Sequence, residues 1–552
     1  MKKRTFRRPR PVAELRKDKD KEEKQCSGVQ GGQEEGPPLA SDLAANIAYL
    51  KERIGASNDV VFREFVIPLP QPARAVLVFV DGLVSGQTIN EYILLTLTAF
   101  EGTDADWALD RRNLAEKVKE HILSIGEVSV QNQWAPVITA ILSGESALFL
   151  EGEDRVLICN TRGWEHRGID EPPTEAAVRG PRVGFSEVLR TNTAQVRRWI
   201  RDPDLRIKGI KVGKRTQTDV AIVFLESVAN PDLVAEVEKR LQRIDIDGVL
   251  ESAYLQEYIE DQPYSLFPTL QVTERVDRVV AALLDGKVAV LVDNTPFALL
   301  MPVTFWQLYY SAEDYYHRWP LSILIRMIRF LAFFFSLYLP AIFIALAVHN
   351  PELIPFNLAI KIAGTREGIP FPVFLETLFM ELAIEILREA SIRLPGPFGQ
   401  TIGIVGGFIL GDTAVRAGLI SPIMTIIVAL TAICSFTAPS FGVAITMRIL
   451  RFPLMLIGQV GGLYGLSIAT ILLLINMAGI RSFGVPFLSP VVPLNLSDLK
   501  DFLFVAPRWA MIKRPLINEP IDIRREGSKA RNWREALLYP PSRRPRGGKQ
   551  EE

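Results

Sequence analysis

The sequence predicts an α/β N-terminal region of two subdomains, expected on the cytoplasmic side, followed by an α-helical polytopic membrane domain. Three observations carry this expectation. Residues 320–478 string together about five apolar runs, most of them roughly 20 residues long, more than a water-soluble core supplies in succession. Before them, strand-like and helix-like patterns alternate over some 260 residues, roughly two small subdomains' worth. The basic N-terminus leads into charged and glycine-rich sequence rather than an apolar leader, so no cleaved signal is expected.

Residues 1–38 carry little apolar mass and read as a disordered basic tail. The first α/β subdomain is expected over 39–165. Ser41 or Asp42 opens a helix, VVFREFVIPL and ARAVLVFVDGLV read as strands, and helical patterns recur near 88–100, 112–124 and 133–143. ESALFLEGEDRVLICNT then reads as two strands joined at 152–154. A connector at 166–200 gathers Arg179, Arg182, Arg190 and Arg197 around the turn RGPRVG. Backbone N–H groups of such a turn can face an anion, so these arginines form a candidate anion or coupling cluster; the alternative is a linker whose arginines meet neighbouring carboxylates or phospholipid.

The second α/β subdomain is expected over 201–302, with two strands, helices near 231–244, 251–259 and 273–284, and a buried strand pair over 288–300. A small mixed sheet covered on one face follows from that order. The aromatic stretch 303–319, rich in Trp and Tyr, suits an interfacial helix at the lipid headgroups.

The membrane domain is expected over 320–496, with about five hydrophobic segments, one of them a candidate re-entrant element, and a basic cytoplasmic tail over 497–552. Its second run carries Glu376, Glu381, Glu385 and Glu389. On a helical wheel Glu381, Glu385, Arg388 and Glu389 share an arc of about 100°, and Glu376 points elsewhere. Such a stripe has to face protein or water, which makes the four glutamates a candidate ion pathway; carboxylates paired internally, as Glu385 with Arg388, are the alternative. Asp412 and Arg416, one turn apart, form a candidate intramembrane pair. Gly403, Gly407 and Gly411, and then Gly458, Gly461, Gly462 and Gly465, are expected to admit close helix packing. Arg448 and Arg451 read as a cytoplasmic loop. Five crossings would place the basic tail outside, against the positive-inside rule, so four or six crossings with both ends cytoplasmic are expected; the further pass is sought at 482–496 or 354–364.

Composition excludes several classes. Lys+Arg (63) balance Asp+Glu (63), which gives no argument for nucleic acid. Cys26, Cys159 and Cys434 are too scattered for a disulfide framework or thiolate metal site. No Walker A, GxGxxG, HExxH, GxSxG or kinase motif occurs, and the four histidines are dispersed. We expect no enzyme, no catalytic residue, no cofactor and no metal.

Several long segments resemble one family. TDVAIVFLESVANPDLVAEVEKRLQRIDIDGVLES, REGIPFPVFLETLFMELAIEILREASIRLP, LISPIMTIIVALTAICSFTAP and LRFPLMLIG, in register, are similar to the A-subunit family of bacterial spore germination receptors. The resemblance covers about residues 150–480 closely. It implies a nutrient germinant receptor subunit in the spore inner membrane, partnered in that family by a transporter-like B subunit and a lipid-anchored C subunit. It further implies oligomerisation of the A subunit around a cation-release pathway, with Glu376, Glu381 and Glu385 on the pore side. A homologue acting with dipicolinate release, or a non-conducting scaffold, are the alternatives it leaves.

Overall fold

The computed structural model describes residues 38–525, apart from 70–71, 101–113, 164–171, 173–174, 176, 395 and 503. The tail at 1–37 and the last residues, 526–552, lie outside the described residues. The chain divides into two compact units, one of residues 1–52, 61–80 and 84–163, the other of 53–60, 81–83 and 164–552.

In the first unit, the Asp42 carboxylate accepts the Ala44 N–H and opens α1 (Leu43–Arg53). Strands β1 (Val60–Ile67), β2 (Ala73–Val80), β3 (Val128–Gln131), β4 (Ser146–Leu150) and β5 (Val156–Cys159) form one sheet in the order β1-β2-β4-β5-β3. Strands β4 and β5 are buried throughout, so they read as continuous apolar runs. Helices α2 (Leu114–His121) and α3 (Trp134–Leu142) are shorter than their sequence patterns suggest. The stretch at 88–100 is a helix interrupted by a π turn at Asn90–Leu94.

The second unit starts from α4 (Leu189–Trp199). Strands β6 (Leu205–Val212), β7 (Thr218–Leu225), β8 (Gln271–Thr273), β9 (Val288–Val292) and β10 (Ala298–Met301) pair in the order β6-β7-β9-β10-β8. Every registered pairing is antiparallel, so the sheet is not mixed. Nor is it covered on one face. Ile207, Val223, Leu291 and Leu300 pack with α4 and α7 (Val276–Leu284). Ile222, Val290, Leu299 and Met301 pack on the opposite side with α5 (Pro231–Gln242) and α6 (Ser252–Ile259). Alternation along each strand sends successive side chains into the two layers, and each fully buried Val or Leu contributes about 1.5–3 kcal/mol. Strand β8, not expected from the sequence, lies just before α7, and its Thr273 is the one residue it shares with the helical pattern at 273–284.

The aromatic stretch is not a surface helix. It forms two 3-10 turns, Phe305–Tyr309 and Ala312–Tyr315, with Phe305 and Tyr309 buried. Trp306 Nε1 donates to the Leu488 carbonyl at 3.1 Å, and Phe305 packs edge-on against Phe333 and Phe487. Lys287 Nζ donates to Gln307 Oε1 at 2.7 Å, and burial pulls this ammonium down to about 8.

Helices α8 (Trp319–Val348), α9 (Phe356–Arg366), α10 (Val373–Arg393), α11 (Gly396–Phe408), α12 (Pro422–Ser435) and α13 (Phe441–Gly479) complete the unit. Of these, α8 and α13 are long and apolar enough to cross a membrane, and α12 is a shorter apolar helix. Cross-contacts fix their directions. Ser336 meets Arg451 and Ala341 meets Gly458, so α8 and the first half of α13 run parallel. Glu381 pairs with Arg451 and Glu385 with Arg448, so α10 opposes them. Glu376 meets Ser421 and Arg388 meets Ser435, so α12 runs with α10. Gly399 lies against Ser391 and Gly406 against Leu387, so α11 opposes α10.

Helix α13 is two helices. Gly462, at φ 57° and ψ −149°, breaks it, and a Cβ on Gly465 would lie 3.2 Å from Ile457 Cγ2. In a straight helix those residues stand about 12 Å apart. The second half therefore folds back on the first. Its two ends meet the α/β subdomain, where the Thr446 hydroxyl donates to the Leu266 carbonyl and Gln262 Nε2 donates to that of Gly479. The turn sits at the far end, against His349, whose Nε2 lies 2.7 Å from the Gln459 carbonyl. Residues 441–479, where the sequence suggests the end of one run, a loop and another run, thus form two helical halves folded on each other. The run at 482–496 is instead part of a strap, 481–525, that returns along the α/β subdomain: Ser482 Oγ donates to the Thr269 carbonyl at 2.7 Å and the Ile521 N–H to that of Val228 at 2.9 Å. The 354–364 segment is α9, at the far end.

A side chain at Gly462 would adopt a conformation that is essentially glycine-only and would also meet His349 Cβ at 3.0 Å. Gly462→Ala is expected to lower stability by about 1–3 kcal/mol relative to Gly461→Ala, whose added carbon meets nothing within 4 Å. Thermal unfolding of the purified full chain checks this; equal midpoints would contradict it.

Candidate functional site

The acidic helix α10 presents charge at successive levels, and each glutamate of its stripe holds an arginine. Glu376, 1% exposed, accepts from Arg366 Nη1 at 3.0 Å and from both the N–H and the hydroxyl of Ser421 at 2.6 Å. Ser421 is the N-cap of α12, so this carboxylate also sits at a helix N-terminus, where the macrodipole favours a negative charge. Glu381, 1% exposed, pairs with Arg451, and Arg451 Nε donates to the Ser336 carbonyl at 2.9 Å. One guanidinium thereby ties α8, α10 and α13. Glu385 accepts from Arg388 at 3.0 Å and Arg448 at 3.2 Å, while Arg388 Nη2 donates to Ser435 Oγ at 3.1 Å and stacks 4.8 Å from the Phe436 ring. Glu389 pairs with Arg393 at the exposed end.

The arrangement corrects the wheel in two ways. Glu376 does point away from the other three, yet it is buried against α9 and α12 rather than idle. The stripe itself faces basic side chains, not bare water. Arg448 and Arg451 are not a loop but lie within α13, at the level of the acids. Arg366, Arg448 and Arg451 come from other helices, so a wheel drawn for one helix cannot reveal them; their signal was arginines three residues apart inside an apolar stretch. Among the described residues, Glu381 Oε1 remains buried without a hydrogen-bond donor.

Asp412 and Arg416 form a 2.8 Å i,i+4 pair on an exposed face. The glycines divide. A Cβ on Gly458 would lie 2.7 Å from the Ala341 carbonyl oxygen, a close approach of α13 to α8, and Gly462 and Gly465 make the break. Around Gly403, Gly407, Gly411 and Gly461 no described residue lies within 4 Å, so the close packing expected there is not seen among the described residues; in α11 Gly406 packs against Leu387.

Within the arginine connector, Arg190 and Arg197 meet carboxylates of the chain itself. Arg197 is 1% exposed and pairs with Asp59 at 3.0 Å while donating to Ser57 Oγ. Arg190 lies 3.6 Å from Asp81. The turn does hold an anion through its backbone, and that anion is the chain's own: Glu313 Oε1 accepts the N–H groups of Val178 and Arg179. Arg182 also has a partner within the chain. A second buried cluster, which the sequence reading missed, joins the aromatic turns, α8 and the strap. Arg326 pairs with Asp314 at 3.4 Å and Asp501 at 3.0 Å, and the Tyr315 hydroxyl donates to Asp501 at 2.5 Å. Burial pushes the Asp501 carboxyl above the usual range although Arg326 opposes it. Among the described residues no group of His, Cys, Asp and Glu is arranged to hold a metal ion.

Removing one partner of a sealed pair leaves an unpaired buried charge, at about 3–5 kcal/mol. Arg451→Leu is therefore expected to destabilise the full chain by that order, and Arg451→Leu with Glu381→Leu by clearly less. Thermal unfolding in detergent measures both; a double variant no more stable than Arg451→Leu alone would show that the pair does not couple the helices.

Comparison with known proteins gives a consistent answer. The family model described as Bacillus/Clostridium GerA spore germination protein matches residues 48–517. The chain is 40% identical over 500 residues to spore germination protein KA of Bacillus subtilis (strain 168), covering 90% of this chain and 91% of that one. It is 39% identical to spore germination protein GerLA of Bacillus cereus, over 86% and 96% of the two chains. The crystal structure of the N-terminal domain of the A subunit of the Bacillus megaterium spore germinant receptor GerK3 matches at 35% identity and a TM-score of 0.39, over 49% of this chain and 98% of that one. By the extent of the family match and the identity to these relatives, the chain belongs to the GerA family of spore germination proteins.

Proposed function

We propose that this protein is the A-type subunit of a nutrient germinant receptor in the spore inner membrane, and that it helps form or gate a pathway for cation release at germination. The observation that carries the reading is its 40% identity, over nine-tenths of its length, to a spore germination protein. A further relative, 40% identical over 87% of this chain, is named as a membrane protein. The partners on this reading are a transporter-like B subunit, a lipid-anchored C subunit and further copies of the chain, to which the open glycine face of α11 offers a close approach.

Helix directions support six crossings, counting both halves of α13, with the α/β region and the strap together on the cytoplasmic side. Arg326, which lies near the start of α8, and the strap's basic residues then obey the positive-inside rule. In single-cysteine variants lacking the native cysteines, Glu352→Cys, next to α9, is expected to react with an impermeant reagent from outside the cell, and Asn495→Cys only after permeabilisation. Labelling of both from the same side would refute six crossings.

The arginine bridges make the glutamates a closed gate rather than an open wall. A cation reaches Glu381 or Glu385 once the guanidiniums move, and the unpaired Glu381 oxygen is where it would first be held. Because all four glutamates are paired, a second reading, a non-conducting scaffold of the receptor, is also supported. One experiment separates them. Spores lacking this chain and any other receptor A subunit, then given it back with its co-encoded partners, are expected to recover nutrient-triggered potassium and dipicolinate release. Glu381→Gln with Glu385→Gln is expected to slow that release at least tenfold at equal protein level. No recovery with the native chain defeats the receptor reading; recovery with unchanged release in the double variant leaves the scaffold.

A further inference from the structure

The stripe that looks acidic in sequence is, in three dimensions, cationic. Around Glu381 and Glu385 stand three guanidiniums, Arg388, Arg448 and Arg451, and their ion pairs among the described residues are with those two carboxylates. A lone positive charge surplus among apolar helices is costly unless an anion or water reaches it. The cluster has a sealed side and an open rim. Arg451 and Glu381 side chains are 2% and 1% exposed, whereas Arg388, Arg448 and Glu385 show 12%, 17% and 25%. Just behind the rim, Arg388 Nε is buried without a hydrogen-bond partner among the described residues.

The rim also has a definite level. Arg448 follows by two residues Thr446, whose hydroxyl bonds the Leu266 carbonyl of the α/β subdomain. Phe436, stacked over Arg388, is 71% exposed, and Phe441 at the start of α13 is 69% exposed. Guanidinium groups flanked by exposed rings at the cytoplasmic end of a bundle match the chemistry of the headgroup region, and the guanidinium fork fits a phosphate through paired N–H donors.

We propose that Arg388 and Arg448, beside Ser435, form a binding site for a phosphate-bearing anion, namely the headgroup of an anionic lipid in the leaflet next to the α/β subdomain. The bound phosphate compensates the surplus charge and clips α10, α12 and α13 together at their cytoplasmic ends. This rests on the membrane reading above, and it assigns the rim to an anion while Glu381 stays behind it.

The test places the full chain in nanodiscs of phosphatidylcholine with or without phosphatidylglycerol and identifies lipid retained on detergent release by native mass spectrometry. The native chain is expected to retain phosphatidylglycerol about fivefold over phosphatidylcholine. Arg448→Gln removes the surplus charge and is expected to abolish the preference. Glu385→Gln adds to the surplus and is expected to strengthen it, an opposite-signed result that keeps the test valid if Arg448→Gln does not fold. Arg416→Gln, on the exposed Asp412 pair, is expected to leave the preference unchanged. Equal retention of both lipids overturns the lipid assignment, and a preference indifferent to Arg448→Gln and Glu385→Gln overturns the site. Stabilisation by inorganic phosphate without any lipid preference overturns the lipid assignment and leaves a free anion as the occupant. A chain that stays outside the bilayer defeats the membrane reading; one inside it without lipid preference defeats this inference alone.

Discussion

The pairing of Glu381 with Arg451 is the constraint on which the helical block depends. An ionised carboxylate sealed among apolar helices requires a partner, and the partner's own remaining donors require acceptors. Arg451 meets both demands by reaching the α8 backbone at Ser336 while holding α10. Glu376 repeats the device one level toward the far end, joining α9, α10 and the cap of α12, and Glu385 repeats it toward the α/β subdomain. Polar bridges at three levels fix the register of helices whose apolar faces alone would slide.

A second buried cluster connects that block to the α/β subdomain. Arg326 on α8, Asp314 in the aromatic turns and Asp501 in the strap converge, and the strap continues along the subdomain to the Val228 carbonyl. The subdomain, the first long helix and the return of the last helix are therefore tied at one end of the bundle. A change in the α/β subdomain has a short covalent and hydrogen-bonded route to α8 and α13. The same tie puts the strap against the α/β subdomain at that end of the helical block.

Much of the fold was legible because its signals are local. Runs of β-branched and aromatic residues in VVFREFVI, ARAVLVFV and DVAIVFL gave strands, Asp42 and Pro231 gave helix starts, and apolar length gave the helical block. Three things escaped. Strand β8 is only three residues long, too short to show a period. The second covered face of the sheet depends on where α5 and α6 return, which no strand pattern records. The fold-back of α13 is carried by one backbone conformation, at a glycine that reads like its neighbours in a close-packing motif.

Of the candidate site, the sequence by itself determined that α10 carries too much acid to face lipid, because helical periodicity and the cost of burying charge are local rules. It equally determined family membership, through long motifs in register. Only the tertiary structure decided what the acids face. Arg366, Arg448 and Arg451 lie ten to seventy residues from the acids they meet and on other helices, and the helix that begins at Phe441 carries Arg448 and Arg451 into the bundle instead of leaving them in a loop. Charge compensation is a property of space, not of sequence neighbours. That is why an acidic stripe in the linear chain becomes a bridged, net-cationic cluster once the helices pack.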